Sequence, residues 1–216
     1  MRRALVFAAA AALLWGGLAG PRAALAQHDS THATHDAEHA ADKAAAKPAA
    51  GGGGAPAATT VPGMVLRQLG AAEEKLVALA EAIPAEKYGW RPGEGVRSTG
   101  EVFMHVASAN YFLPTFWGAK VPAGVDPRNL EKEGADKAKT VAALKQSFEF
   151  VRQAIQAVPE ADLSRQLQVF GHQATVAEVM LGVATHGHEH LGQAIAYARV
   201  NGIVPPWSAK QEQRGR

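Results

Sequence analysis

Apolar residues recur at intervals of three and four positions in four separate stretches of the chain, a spacing that lines one face of an α-helix. The first stretch predicts a helix over residues 63–83, which ends at Pro84 because proline cannot continue a helix. The second begins at Ser98-Thr-Gly-Glu101, a capping box whose side chains satisfy free backbone N–H groups. Pro114 should end or kink this second helix near Leu113.

The third and fourth stretches predict two further helices. The third runs from about Asp136 to Val158 and has the most regular apolar spacing of the four. The fourth begins at another capping box, Thr175-Val-Ala-Glu178, and runs to about Val200. Between them, residues 163–173 alternate polar and apolar side chains, which predicts a small hairpin or an extended loop.

Four amphipathic helices, with short links at two of the three junctions, favour packing around one core. The pattern therefore predicts an all-α fold, a four-helix bundle, over residues 61–207. The loop at residues 118–135 is long enough for a crossover between the second and third helices. The sequence contains no long alternating run of β-branched residues, so a substantial sheet is not predicted. Residues 208–216 are predicted to be a polar tail.

The first 26 residues have the layout of a secretory signal peptide. Arg2 and Arg3 precede an uncharged apolar run, Ala4–Leu18, and Ala24-Leu25-Ala26 provides a cleavage site of small residues. The alternative is an uncleaved membrane anchor, but this run is shorter than the roughly 20 residues that span a bilayer. We therefore expect a periplasmic or secreted protein that has no membrane attachment after cleavage.

Residues 27–60 contain no Val, Ile, Leu, Met, Phe, Tyr or Trp, and Gly51–Gly54 form an unbroken glycine run. Such a segment cannot bury enough apolar surface to offset its ordering entropy, which predicts a disordered tether. Four of its residues are histidines, interleaved with acidic residues. These histidines are His28, His32, His35 and His39. Two interpretations stay open for them: a weak metal-collecting arm and a polar spacer.

Composition and charge exclude several classes of protein. The chain has no cysteine, which excludes disulfides, cysteine-ligated metal sites and cysteine nucleophiles. Its 22 Lys and Arg residues face 20 Asp and Glu, but three of the arginines lie in residues 1–26. The remainder therefore carries no positive excess, and a nucleic-acid-binding surface is not supported.

The position of the histidines is the main chemical signal in the predicted domain. His186 and His190 fall on the buried face of the fourth helix, one turn apart, so their Cβ atoms should lie about 5–6 Å apart. His188 should face solvent, because it lies two residues from each of them. His105 falls on the inward stripe of the second helix.

Imidazoles in a core need partners, since a buried polar nitrogen without one costs about 1–3 kcal/mol. The apolar stripes offer no obvious Asp or Glu. For His105 alone, a backbone carbonyl or a carboxylate would suffice; for the pair His186 and His190, one divalent metal satisfies both rings. Three protein ligands with an open position are typical of a catalytic zinc site. The metalloprotease motif HExxH is absent. In that motif the glutamate directly follows the first histidine, whereas here Glu189 directly precedes the second, His190.

Two segments of the chain resemble the DinB-like family. His186-Gly-His-Glu-His190-Leu-Gly-Gln193 resembles the HxxxHxGQ motif of its last helix, and residues 91–107, which include His105, resemble the start of its second helix. The resemblance covers about residues 62–203. It implies a DinB/YfiT-type bundle that holds a divalent metal, zinc most often or nickel, with His105, His186 and His190 as ligands. Gln193 would either orient a ligand imidazole or merely pack.

The resemblance implies a function only in outline. Better understood members are thiol-dependent S-transferases and isomerases, others are described as metal-dependent hydrolases, and many form homodimers. An exported protein would lie away from the mainly cytosolic low-molecular-weight thiols, which argues against thiol transfer. Three hypotheses follow: a metal-dependent enzyme acting on an unidentified small molecule, a non-catalytic metal-binding protein of the cell envelope, and a structural helical domain. No catalytic residue is assigned. By position only, the candidates to line a pocket are Trp90, Asn110, Tyr111, Phe112 and Trp117.

Overall fold

The structure is a computed structural model that describes residues 59–214. The predicted signal peptide, and the predicted tether with its four histidines, lie outside the described residues apart from Thr59 and Thr60. The described chain is mostly helical, which confirms the all-α prediction in its main feature. It contains five α-helices and one two-stranded sheet. Their bounds are α1 Val61–Ala82, α2 Thr99–Phe112, α3 Lys137–Gln156, β1 Gln166–Val169, β2 His172–Thr175, α4 Val176–Val200 and α5 Pro206–Arg214.

Both predicted capping boxes are present. At the start of α2, the Ser98 hydroxyl accepts a hydrogen bond from the Glu101 backbone N–H, and the Glu101 carboxylate accepts one from the Ser98 N–H at 2.6 Å. Thr175 and Glu178 form the same pair of bonds at the start of α4. Each helix therefore begins where its sequence satisfies the free N–H groups of its first turn.

Three features differ from the sequence prediction or refine it. Residues 166–175 form an antiparallel hairpin, which decides between the hairpin and the extended loop. Its two-residue turn, Phe170-Gly171, has positive φ at both positions, as this tight turn requires. The 118–135 loop contains a short 3-10 helix, Leu130–Glu133. Helix α5 was not predicted, because Pro205-Pro206 indicates the end of a helix. In the structure, Pro206 instead begins α5, where the missing N–H of a proline in the first turn costs nothing.

The four long helices pack against one another in pairs. Helix α1 contacts α3 and α4, and α2 also contacts α3 and α4. Each contributes apolar side chains to one core. Examples are Leu69, Leu76 and Leu79 of α1, Val102, Phe103 and Val106 of α2, Leu144, Phe148 and Val151 of α3, and Val179, Val183 and Leu191 of α4. Among the described residues, no helix has the length and apolarity needed to cross a membrane.

The segment 127–134 lies along α2 and is held there by an unusually close backbone approach. A Cβ atom added at Gly100 would lie only 1.7 Å from the carbonyl oxygen of Gly134. A Cβ atom added at Gly134 would lie 2.7 Å from the backbone nitrogen of Glu101. Only glycine fits at both positions, and this contact brings the Leu130–Glu133 helix against the part of α2 that carries His105.

Candidate metal centre

His105, His186 and His190 lie together between α2 and α4, as the helical spacing of the sequence predicts. One ring nitrogen from each lies within 4.8 Å of those of the other two. The ring centroids are separated by 5.0 Å for His105 and His186, 4.7 Å for His105 and His190, and 4.4 Å for His186 and His190. All three side chains are partly buried, so the cluster lies at the edge of the core with access from solvent.

A carboxylate binds the outer nitrogen of His105, which is the ring nitrogen that points away from the other two histidines. The Nδ1 atom of His105 lies 2.6 Å from Oε1 of Glu131, in the Leu130–Glu133 helix. Glu131 is itself held by Arg97, whose Nε donates to Oε2 at 2.8 Å and whose Nη2 donates to Oε1 at 3.3 Å. Because an ionised carboxylate only accepts, Nδ1 of His105 carries the proton of this hydrogen bond, and in the neutral imidazole Nε2 is the nitrogen left with a lone pair.

An amide binds the outer nitrogen of His190 in a similar way. The Nδ1 atom of His190 lies 2.8 Å from Oε1 of Gln193, and Nε2 of Gln193 donates to the Tyr197 hydroxyl at 3.0 Å. Trp90 packs edge-on against the Tyr197 ring, with centroids 5.3 Å apart. In this orientation the amide oxygen faces His190, so Nδ1 of His190 carries the proton and the lone pair of its Nε2 is left to bind a metal.

The donor set fits a divalent metal. The Nε2 atoms of His105 and His186 are 3.2 Å apart. Two imidazole nitrogens bound to one tetrahedral zinc ion at about 2.0–2.1 Å would be about 3.4 Å apart. Without a metal, the same distance allows one hydrogen bond between these two Nε2 atoms. The three rings thus carry the residue types and the spacing of a three-histidine metal site.

Electrostatics keep two of these imidazoles neutral, which is the form that binds a metal. Burial, followed by the neighbouring His190 and His105, lowers the pKa of His186 to about 3. Burial also lowers the pKa of His190. For Glu131, burial acts to raise the pKa, but hydrogen bonds from His105 and Arg97 outweigh it and lower the pKa to about 2. Glu131 is therefore a carboxylate at neutral pH.

The comparisons with known proteins agree with this architecture. The sequence model of the DinB superfamily matches residues 68–194, more than half of the chain. The chain belongs to the DinB superfamily. The matched range contains His105, His186 and His190. The family resemblance read from the sequence is thus confirmed, whereas no curated protein matches this DinB-superfamily chain.

Two solved structures of DinB-like proteins are similar to this superfamily member. One, from Bacillus cereus, has a TM-score of 0.58 and 16% sequence identity, covering 66% of this chain and 93% of that one. The other, YjoA from Bacillus subtilis, has a TM-score of 0.43 and 20% identity, covering 65% and 94% of the two chains. At 16% identity, the similarity to the Bacillus cereus protein shows a shared fold.

Most of the predicted pocket residues of this DinB-superfamily chain make their contacts elsewhere in the core. Asn110 is buried and donates to the Ser147 hydroxyl, and the Trp117 indole donates to the Ala154 carbonyl. Tyr111 and Phe112 pack against other aromatic rings. Of the five candidates, Trp90 is linked to the histidine cluster, through its contact with Tyr197.

The remaining histidines of the described chain lie outside the cluster. His188 is exposed, as predicted, and its Nε2 lies 3.1 Å from the backbone oxygen of Gln68 in α1. His172 is exposed on β2. Neither belongs to the group of ligand atoms formed by His105, His186 and His190.

Two residues of the centre, Glu131 and Arg97, are not predicted by the sequence pattern. The apolar stripes indeed supply no carboxylate, but the loop before α3 supplies one. No periodicity marks Glu131, which lies among the charged residues of the 118–135 loop and contacts His105, 26 positions earlier in the chain. The two glycines that hold this loop on α2 carry no sequence signal of their own, because their role depends on a contact between distant segments.

Proposed function

We propose that this DinB-superfamily protein binds one divalent metal through His105, His186 and His190 and uses it in a hydrolase or thiol-dependent transferase reaction on a small molecule. Helices α1 to α4 would form the four-helix bundle of the DinB/YfiT type. Zinc is the preferred metal and nickel the alternative, because a set of imidazoles suits both, and three protein ligands with an open position are typical of catalytic zinc.

One observation carries this proposal: three imidazoles from two helices converge, and two of them have their outer nitrogen held by a partner that accepts a hydrogen bond. Glu131 holds His105 and Gln193 holds His190. Such partners fix the tautomer and the ring orientation of metal-binding histidines. If the three rings had only a structural role, one nitrogen of each would not need to lie within 4.8 Å of those of the other two.

A divalent metal in this cluster would lower the pKa of a water or a thiol and make it a nucleophile near neutral pH. The side chains of this chain supply the geometry. His105 has 24% of its side-chain surface exposed, so a small molecule can approach the cluster from solvent. Glu131 is occupied by His105 and Arg97, so it supports the ligands and is not a free general base.

Export bears on the choice between the two reaction types. The signal-peptide pattern of residues 1–26 supports a periplasmic or secreted protein. Because low-molecular-weight thiols are mainly cytosolic, export favours a hydrolase over a thiol-dependent transferase. The same pattern, together with His28, His32, His35 and His39, supports the second candidate function, a non-catalytic metal-binding protein of the cell envelope.

The first experiment measures bound metal per chain on protein expressed with its signal and without a histidine tag. We expect about one metal per chain in the wild type, and its loss in His105→Ala and His190→Ala. His188→Ala is the matched control, because this exposed histidine lies on the same helix and should leave the metal content unchanged. Metal retained in both cluster variants would refute the assigned ligands.

A second experiment separates the candidate functions once metal is bound. Ester, amide and phosphoester substrates, and electrophiles offered with a thiol, are screened with the metal-loaded protein and with the His190→Ala variant. Turnover that disappears in the variant supports an enzyme. If no substrate turns over, and deletion of residues 27–58 slows metal loading, the envelope metal-binding function is favoured instead.

A further inference from the structure

The carboxylate at the outer nitrogen of His105 reaches it from a different part of the chain. Gln193 lies three residues after His190 on the same helix, so α4 itself places the amide. Glu131, in contrast, is presented by the loop between α2 and α3. The position of Glu131 therefore depends on how that loop is held against α2.

We propose that Glu131 is a positioning residue for the metal centre, which holds His105 through Nδ1 so that Nε2 points at the other two imidazoles. The inference rests on the proposed metal-binding function and adds a residue to it. Arg97 and the contacts of segment 127–134 with α2 are the parts of the structure that fix Glu131.

Three contacts set the register of this segment on α2. At one end, Gly134 meets Gly100 in the close backbone approach. At the other end, the Ser108 hydroxyl donates to the Pro127 carbonyl at 2.6 Å. The contact of Glu131 with His105 lies between these two, so the loop runs antiparallel to α2 and is fixed on both sides of the carboxylate.

Arg97 sets the orientation of the carboxylate within that frame. Its Nε and Nη2 atoms donate to the two different oxygens of Glu131, at 2.8 and 3.3 Å. A two-point contact of this kind fixes the plane of a carboxylate as well as its position. Oε1 consequently faces Nδ1 of His105, and Oε2 is occupied by the guanidinium.

This arrangement has a chemical consequence for one ligand in particular. A carboxylate partner makes an imidazole a stronger donor to a metal than a neutral amide partner does. His105 should therefore be the strongest of the three ligands, and losing its partner should weaken the whole site. Replacing such a partner typically lowers metal affinity about 10- to 100-fold.

The test compares Glu131→Ala, Glu131→Gln and Glu133→Ala with the wild type. Glu133→Ala is the matched control: it removes a charge from the same short helix, but Glu133 pairs with Lys139 on the surface. Zinc affinity is measured by competition with a chromophoric chelator, and visible spectra are recorded with cobalt in place of zinc. We expect affinity to fall about 10- to 100-fold in Glu131→Ala and less in Glu131→Gln, whose amide oxygen can still accept, with Glu133→Ala unchanged.

A metal-free readout separates this inference from the proposed function. Nitrogen-15 NMR of the imidazoles in the apo protein reports which nitrogen of His105 carries the proton. The wild type should show the proton on Nδ1, and Glu131→Ala should show a mixture of tautomers with the helical circular dichroism unchanged. If the wild type binds no metal, the proposed function fails, and the tautomer of His105 alone decides the role of Glu131. Equal tautomer populations in the wild type and Glu131→Ala would overturn the inference.

Discussion

Gly100, in the first turn of α2, provides a sharp test of how the centre is assembled. In Gly100→Ala, the new Cβ would lie 1.7 Å from the Gly134 carbonyl oxygen, 2.6 Å from the Gly134 carbonyl carbon and 2.9 Å from Cδ1 of Tyr88. The first two atoms belong to the backbone, so a side-chain rotation cannot relieve the overlap. The 127–134 segment would have to move away from α2 and take Glu131 with it.

The size of the effect follows from two opposing terms. Overpacking of a well-packed site costs about 1–3 kcal/mol, whereas replacing glycine by alanine inside a helix gains at most about 1 kcal/mol. We expect a net loss of about 1–2 kcal/mol at Gly100, because its first-turn position reduces the helix-propensity gain. In a chain of this size, about 1 kcal/mol corresponds to a fall of about 2–4 °C in Tm.

Gly70→Ala is the matched control. Gly70 lies in the interior of α1, and a Cβ built there meets nothing within 4 Å. The same substitution should therefore stabilise the protein by about 0.5–1 kcal/mol. Urea unfolding followed by circular dichroism gives both changes, and chelator competition gives the zinc affinity, which should fall in Gly100→Ala alone. If Gly100→Ala keeps wild-type stability and zinc affinity, the contact between Gly100 and Gly134 does not hold Glu131 in place.

Three further predictions concern the charges and hydrogen bonds of the centre. Because the folded-state pKa of His186 is about 3 against an ordinary 6.5, the unfolded chain binds this proton more readily, and metal-free stability should fall as the pH drops from about 6.5 toward 3. The slope is at most about 1.4 kcal/mol per pH unit for this group, and urea titrations from pH 7 to pH 5 should be flatter for His186→Gln. Zinc at 100 times its Kd should raise the unfolding free energy by about 2.7 kcal/mol in the wild type and by much less in His190→Ala, measured as Tm with and without chelator. Gln193→Ala should lower zinc affinity about 10-fold, whereas Tyr197→Phe, which keeps the ring against Trp90, should lower it less because the amide can still face His190.

Local signals in the sequence predicted the helices and the histidine cluster. Ser98 and Thr175 begin their helices because each lies three residues before a glutamate that completes a capping box, a relationship confined to one turn. The convergence of His186 and His190 follows from a four-residue interval on a buried face. His105 was predicted to face them because it lies on the inward stripe of α2. These inferences need only helical periodicity and the requirement that apolar faces pack together.

The features that the sequence did not predict depend on contacts between distant segments. Glu131 lies in an aperiodic loop, and nothing near it indicates that Arg97 and His105 will meet its two oxygens. The fitting of Gly100 against Gly134 is likewise visible only when the two backbones are placed together. Helix α5 has a short, polar sequence, and a proline pair at its start reads as a stop even though a first turn accommodates it.

A crystal structure of the zinc-loaded protein, with anomalous data collected at the zinc edge, tests the central claim most directly. We expect one anomalous peak among the three rings, about 2.0–2.1 Å from Nε2 of His105, His186 and His190, with Glu131 still on Nδ1 of His105. An anomalous peak elsewhere on the chain, or no peak at full zinc loading, would contradict the assignment of these histidines as the metal centre.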